Sequence, residues 1–480
     1  MSVAQDYTLN GNAVNNRTIR VRRNIINNTT GVVTVSGTGV VRLDRKIDDH
    51  LIRSTTGTYP IIFSNLSMTQ TMTVTLQVDV TVTNNLTIGD ASNPYTNGGT
   101  GFSIGARTLT INNLSSYLPT STAPLTFSGG TVLFNGAAAN QLILNNAAGV
   151  TYGTLSLTGG TKSVTTGGTV TAATVTQTGG QLSVTENVDV TGTGSFADIG
   201  PISAAKKLRL TAAATSGSVT SMNNSSTGTF ENASNGTVTI TTLAGNTGTI
   251  NQSGATGTLT FTNAAVSNGT ITNTSTGTVT FANNLTGTGT VSQTANGTMN
   301  VGGSFTQSTY TLATAGTVVY NGTAAQSVIG TTYNNLTIAT TGGNATASAA
   351  ITLTGNLVIN SGSTLDMAGF ASSSFPGGSN NNAGTIKWSG TNVYVSGAGT
   401  TEFYSAAVGN VAIGTNYGNL LFSGTGMKTF ATAGTTTATG NMTVNSGAQV
   451  TVNNGVTVRV NGSTNVSGNI ANNGAVNVGS

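Results

Sequence analysis

The sequence holds no cysteine in 480 residues. That single absence excludes disulfide staples, thiol nucleophiles, iron–sulfur clusters and cysteine-ligated zinc. Charge is scarce too: Asp, Glu, Lys and Arg together make up 6% of the chain, against about 25% in ordinary soluble domains. Proline occurs 6 times and aromatic residues are 5%. No apolar run approaches the roughly 18 residues of a membrane helix, so insertion into a membrane is not expected. A complete signal peptide is also missing. Ser2-Val3-Ala4 before Gln5 reads either as the tail of one, with small residues at the cleavage positions, or as an ordinary polar N-terminus.

What remains is dominated by Thr, Asn, Ser, Val and Ala, with 65 glycines. Disordered chains are rich in charge and proline and poor in β-branched residues; this one is the reverse, and its Val, Ile and Thr favour strands. Hydrophobic residues at 36% suffice for a thin, continuous core. The formal net charge is +4, and its placement is uneven. Arg17, Arg20, Arg22, Arg23, Arg42, Arg45, Lys46 and Arg53 all precede residue 54. The remainder is neutral overall and lacks the basic stripe with interleaved aromatics that a nucleic-acid partner requires. Near-neutral chains associate readily.

Repeats decide the fold. From 228 to 299 a Gly-Thr-apolar triplet recurs eight times, beginning Gly228-Thr229-Phe230, Gly236-Thr237-Val238, Gly248-Thr249-Ile250 and Gly257-Thr258-Leu259. Successive glycines lie 8, 12, 9, 12, 8, 12 and 8 residues apart, so alternate triplets repeat every 20–21 residues. That period predicts an all-β parallel β-helix (a β-solenoid) with about 20–21 residues per coil and coils stacked about 4.8 Å apart. Right-handed crossovers are the rule for parallel strands, so a right-handed coil is expected. Glycine marks the turns, where positive φ is cheap. Val238 and Ile240, Leu259 and Phe261, Val279 and Phe281, and Met299 and Val301 alternate as an inward face.

Two finer patterns follow. Asn232, Gln252, Asn273 and Gln293 stand two residues beyond the apolar residues of one triplet series, which predicts a structural ladder of stacked amides inside the coil. Thr237, Thr239, Thr258, Thr260, Thr278 and Thr280 flank the inward residues, which predicts an outward array of threonines, the kind of surface an ice-binding solenoid uses. A second motif joins an aromatic residue, a Gly or Asn pair and a strand. It occurs at Tyr152-Gly153-Thr154-Leu155, Tyr333-Asn334-Asn335-Leu336 and Tyr417-Gly418-Asn419-Leu420. Phe134-Asn135-Gly136 and Tyr320-Asn321-Gly322 lead into two of these copies, and module restarts are expected near 134, 320 and 394.

The stretch from Tyr320 to Phe370 resembles the repeats of very large bacterial surface proteins of the Bacteroidota type, which are similar to β-helical adhesins and autotransporter passengers. It carries Tyr-Asn-Gly-Thr-Ala-Ala-Gln, Tyr-Asn-Asn-Leu-Thr-Ile and Gly-Asn-Leu-Val-Ile-Asn-Ser-Gly-Ser-Thr-Leu-Asp. The likeness is clearest over 130–165 and 318–480. It implies an exported bacterial protein, extracellular or at the cell surface.

Residues 1–53 are expected to form a charged capping or subunit-docking segment, and residues 54–480 a solenoid rod, most regular over 228–303. Val32–Val35 and Val40–Leu43 suggest a hairpin within the cap. The docking candidates are Arg17, Arg20, Arg22, Arg23, Arg42, Asp44, Arg45, Lys46, Asp48 and Asp49, whose mixed charges would register a partner subunit. Val466 to Gly479 still read as repeat, an end for a further coil or another subunit to cover.

Catalysis on polysaccharides needs carboxylates converging on one groove, and the acids of the body are scattered singly. Glu186 and Asp189 are the closest pair, too few oxygens for calcium. Glycine-rich stretches lack the Lys-Ser/Thr of a phosphate loop. Trp388 beside Lys387 reads as a packing residue. No cofactor, metal or catalytic residue is therefore assigned. The expected function is structural: a rigid solenoid, roughly 100 Å long, that stacks on itself head to tail or forms the shaft of an adhesin. The alternative is a module displaying a surface for glycan, host matrix or ice, with a polysaccharide-cleaving enzyme third.

Overall fold

Alternation of β-branched and hydroxyl residues with glycine at the corners leaves the chain one regular option, and it takes it. The structure, a computed structural model, describes residues 2–3, 5–43, 50–68, 73–88, 100–113, 116–117, 125–137, 140–211, 216–370, 373–375, 380–393, 395–404, 406, 408–413 and 416–479. Among these no helix occurs, and every strand pairing between named strands is parallel. The protein is a parallel β-solenoid. Contacts divide it into two units, Met1–Leu259 and Thr260–Ser480.

In the first unit the coils begin at once. Ser2–Val3, Ile19–Val21 and Val41–Leu43 stack in register as one column. Tyr7–Leu9, Ile25–Asn27 and His50–Ser54 form a second, and Ala13–Val14, Val33–Ser36 and Ile61–Met68 a third. The expected hairpin is therefore absent: Val33–Ser36 and Val41–Leu43 lie in different columns. Parallel stacking buries Val33, Val35, Val41 and Leu43 in one core, which a surface hairpin would not. The described strands before residue 54 thus stack as parallel coils, like those that follow.

Farther along, Thr229–Asn232 stacks on Thr249–Gln252, 20 residues on. Buried residues alternate with exposed ones, so Val238, Ile240, Phe230 and Ile250 turn inward and are solvent-free. Aromatic rings stack coil on coil: Phe102 on Phe127 at 5.4 Å and Phe127 on Tyr152 at 5.0 Å, their planes nearly parallel. Where coils approach at a corner, only glycine fits. A Cβ on Gly153 would come 2.2 Å from the Gly129 carbonyl oxygen.

The second unit repeats these rules. Thr270–Asn273 pairs with Thr290–Gln293, and Thr278–Phe281 with Thr298–Val301. Phe261 stacks on Phe281 at 4.8 Å, and Phe403 on Phe422 at 5.2 Å. Trp388 is buried and packs edge-on against Phe375 at 6.4 Å.

The aromatic motif has a shared geometry. Tyr152, Tyr333 and Tyr417 are buried, and their hydroxyls donate to the carbonyls of Leu144, Ile329 and Ala412 at 2.7, 2.8 and 3.1 Å. In the two lead-ins a glutamine closes the turn. Gly136 N–H donates to Gln141 Oε1 at 2.8 Å and Gly322 N–H to Gln326 Oε1 at 2.6 Å. At the first copy the coil shortens: Leu125 pairs with Val150, 25 residues on, and Val150 with Val170, 20 residues on. The restart near 394 centres on Tyr394, which lies outside the described residues.

Phe127 sits between two rings, so Phe127→Ala removes two stacking contacts and leaves a cavity. The expected loss is about 3–5 kcal/mol in urea unfolding. Because coils touch only their neighbours, hydrogen-exchange protection should fall in Thr100–Ile111 and Val150–Leu157 and hold in Thr229–Asn232.

Candidate functional site

Of the docking candidates, Asp44, Arg45, Lys46, Asp48 and Asp49 lie outside the described residues. The structure places Arg20 directly beneath Arg42 on adjacent strands, in a column that continues to Ser67. Arg17 and Arg23 are exposed, and Arg22 and Arg42 half-buried. These arginines decorate the outer wall of ordinary coils.

The amide positions are all solvent-free. In the first unit Asn232 pairs in register with Gln252, and Asn232 Nδ2 donates to Gln252 Oε1 at 2.7 Å. In the second, Asn273 lies in register with Gln293, and their amides donate to turn carbonyls, Gly277 at 2.8 Å and Ala295 at 2.9 Å. The amides are thus rungs and turn caps together. Asn232 Oδ1 accepts from Ser234 N–H and Oγ–H at 3.2 and 2.7 Å, and Ser234 Oγ accepts from Gly236 N–H at 3.2 Å. Asn273, Ser275 and Gly277 repeat the device. The spacing Asn-x-Ser-x-Gly carried that signal in the sequence, as Asx turns prescribe. A second amide pair, Asn224 and Asn246, is also buried and in register.

Thr237 is exposed, and Thr239, Thr258, Thr260, Thr278 and Thr280 are half-exposed, alternating with buried neighbours. In the second unit Thr278 pairs with Thr298, whereas Thr280 pairs with Asn300, whose Nδ2 donates to the Thr280 hydroxyl at 3.2 Å. One of the two threonine columns therefore ends there.

Glu186 and Asp189 are held by cations of the following coil. Lys206 meets Glu186 at 2.5 Å, and Arg209 bonds Asp189 through two nitrogens at 3.1 and 2.8 Å. The bonded Asp189 carboxylate holds the Arg209 guanidinium above its ordinary pKa. Lys207 reaches Glu231 at 3.2 Å. A hollow of about 240 Å³ opens beside Asn187, Lys207 and Arg209. Among the described residues no group of three or more His, Asp or Glu side chains is placed to hold a metal.

Sequence reading missed Lys162. It occupies an inward position in Lys162–Val164, above Gln141, and is solvent-free. Its Nζ donates to the carbonyls of Gly136 and Gly160 at 3.0 and 2.7 Å. Desolvation by burial lowers its pKa to about 8. Lys428 stands at the matching place, one residue after Met427, and is equally buried and lowered by desolvation. Thr-Lys-Ser-Val and Met-Lys-Thr-Phe at these positions look like exposed polar strands, which hid them.

An open groove of about 440 Å³ lies on the first unit, running across four coils from Arg107 to Thr174.

Comparison with protein families, with curated proteins and with solved structures finds no match.

Two predictions follow from this geometry. Asn232→Leu removes the donor to Gln252 Oε1 and the acceptor of the Ser234 N–H and Oγ–H, at a cost of about 1–3 kcal/mol. The double change with Gln252→Leu should cost less than the sum of the single ones in a denaturation cycle. Lys162 binds its proton less tightly folded than unfolded, so the folded state is penalised at neutral pH and gains stability as pH rises above 8. Between pH 7 and 9.5 the protein should gain about 2 kcal/mol relative to Lys162→Met in urea titrations.

Proposed function

We propose that this chain is a structural protein of the cell exterior: a stiff β-solenoid that stacks head to tail into a filament or forms the shaft of a surface adhesin. The observation that carries this reading is what the acidic side chains do. Each carboxylate among the described residues bonds to a neighbouring part of the coil stack. Asp6 accepts from Asn24, Asp79 from Thr108 N–H, and Asp198 from Gln181. Glu186, Asp189 and Glu231 pair with Lys206, Arg209 and Lys207. Asp366 accepts from Tyr404 at 2.9 Å, and Glu402 pairs with Lys387 at 3.4 Å. A chain with so few charges that ties them between coils uses them for cohesion.

That engagement weighs against the polysaccharide-cleaving alternative, which needs carboxylates free to meet a substrate. Stacking also favours assembly. The operation that carries one coil onto the next does not close on itself, so a second chain added by the same operation lengthens the rod. The resemblance to bacterial surface repeats supports an exported location.

Negative-stain electron microscopy of the natural protein across a concentration series tests the reading. Filaments above a threshold concentration are the expected result. Single rods at every concentration would overturn the filament and leave the shaft. Collapsed or globular particles would overturn both.

A further inference from the structure

We propose that the groove on the first unit binds an extended, neutral oligosaccharide along the solenoid axis. The groove arises where the strands Thr100–Ile111, Leu125–Phe134, Val150–Leu157 and Val170–Gln177 bend together. Its floor is built of the smallest residues, Gly130, Gly153 and Ala173. Its wall is a ladder of hydroxyls. Thr108 pairs with Thr131, Thr131 with Thr154, and Thr154 with Thr174 in unbroken register, and Thr193 follows one coil on. Arg107 stands at one end.

Three features choose the ligand. The first is spacing: the hydroxyls recur at the coil interval of about 4.8 Å, so four coils present a track of roughly 14 Å. A hexose residue in an extended glycan advances by a similar length, which lets one threonine address each sugar. The second is valence. A threonine hydroxyl both donates and accepts, as sugar hydroxyls do, and the four groove hydroxyls make no bond within the described protein. By contrast, the hydroxyls of Thr165 and Thr439 are spent on carbonyls of the preceding coil, at 2.9 and 3.0 Å.

The third feature is what the lining lacks. It contains one cation and no carboxylate, too little charge for a polyanion. Its strands already pair on both sides with neighbouring coils, so no open edge remains for a peptide strand. Small residues and threonines offer little apolar area for a greasy ligand. No aromatic face lines the groove, so each contact is a hydrogen bond and affinity per site is low, on the order of millimolar. Copies repeated along an assembled rod would supply avidity.

The test titrates the intact protein with cello-, xylo-, chito- and malto-tetraose, followed by saturation-transfer NMR and calorimetry. Ala173 is exposed at the floor, so Ala173→Leu fills the groove from the solvent side. Thr151→Leu, on an exposed site of the adjoining face, is the control. At least one tetrasaccharide should bind at millimolar concentration, with affinity reduced at least about tenfold in Ala173→Leu and unchanged in Thr151→Leu. Thr131→Val/Thr154→Val keeps the strand shape and removes two hydroxyls. It should lose binding as well, and it decides the matter if Ala173→Leu fails to fold. No binding by the natural protein up to about 10 mM overturns the proposal. So does equal binding by the plugged variant, or preference for a sulfated tetrasaccharide. Filament formation is read separately by microscopy, so failure of either proposal leaves the other standing.

Discussion

In a parallel coil each residue lies about 4.8 Å from its counterpart one coil earlier, and this proximity governs which side chains the molecule can hold. A position is occupied by something that tolerates, or profits from, a near copy of itself. Flat rings satisfy the rule by stacking, as Phe102, Phe127 and Tyr152 do. Amides satisfy it because each carries both a donor and an acceptor, as between Asn232 and Gln252. Charges satisfy it by alternating in sign, and the column Asp189, Arg209, Glu231 does so on three successive coils. Among the described residues Arg20 and Arg42 are like charges in register on adjacent coils.

The same rule explains the composition. A globular surface scatters charges where solvent separates them, but a solenoid wall brings equivalent positions into contact, so unmatched charges repel at close range. Threonine avoids the conflict, being polar, β-branched and indifferent to its own image. Glycine appears where two turns come closer than a Cβ permits, as at Gly153 over Gly129.

Much of this was legible in the sequence where the period was strict. From 228 to 303 the spacing of Gly-Thr triplets announced the coil length, the inward residues and the buried amides. Legibility failed where contacts depend on the coil's cross-section. The hairpin proposed at Val32–Leu43 rested on the turn residues between the two runs, and local turn chemistry lost to parallel pairing with strands 22 and 28 residues away. The buried ammonium of Lys162 was hidden because its desolvation is met by carbonyls of Gly136 and Gly160, groups that any sequence supplies. The groove was invisible for a related reason. Its floor needs Gly130, Gly153 and Ala173 to meet across coils of unequal length.

The turn device of Asn232, Ser234 and Gly236 has a bearing on how such a chain changes over time. Each turn meets most of its buried polar demands with residues of its own coil, and the repeat at Asn273, Ser275 and Gly277 does the same. A coil built this way is close to interchangeable. Duplicating or excising a whole one reconnects equivalent neighbours and disturbs little else, whereas gaining or losing a few residues throws every ladder out of step. Reach is then a quantity that recombination can adjust in whole-coil increments, while point mutation works on the outward face.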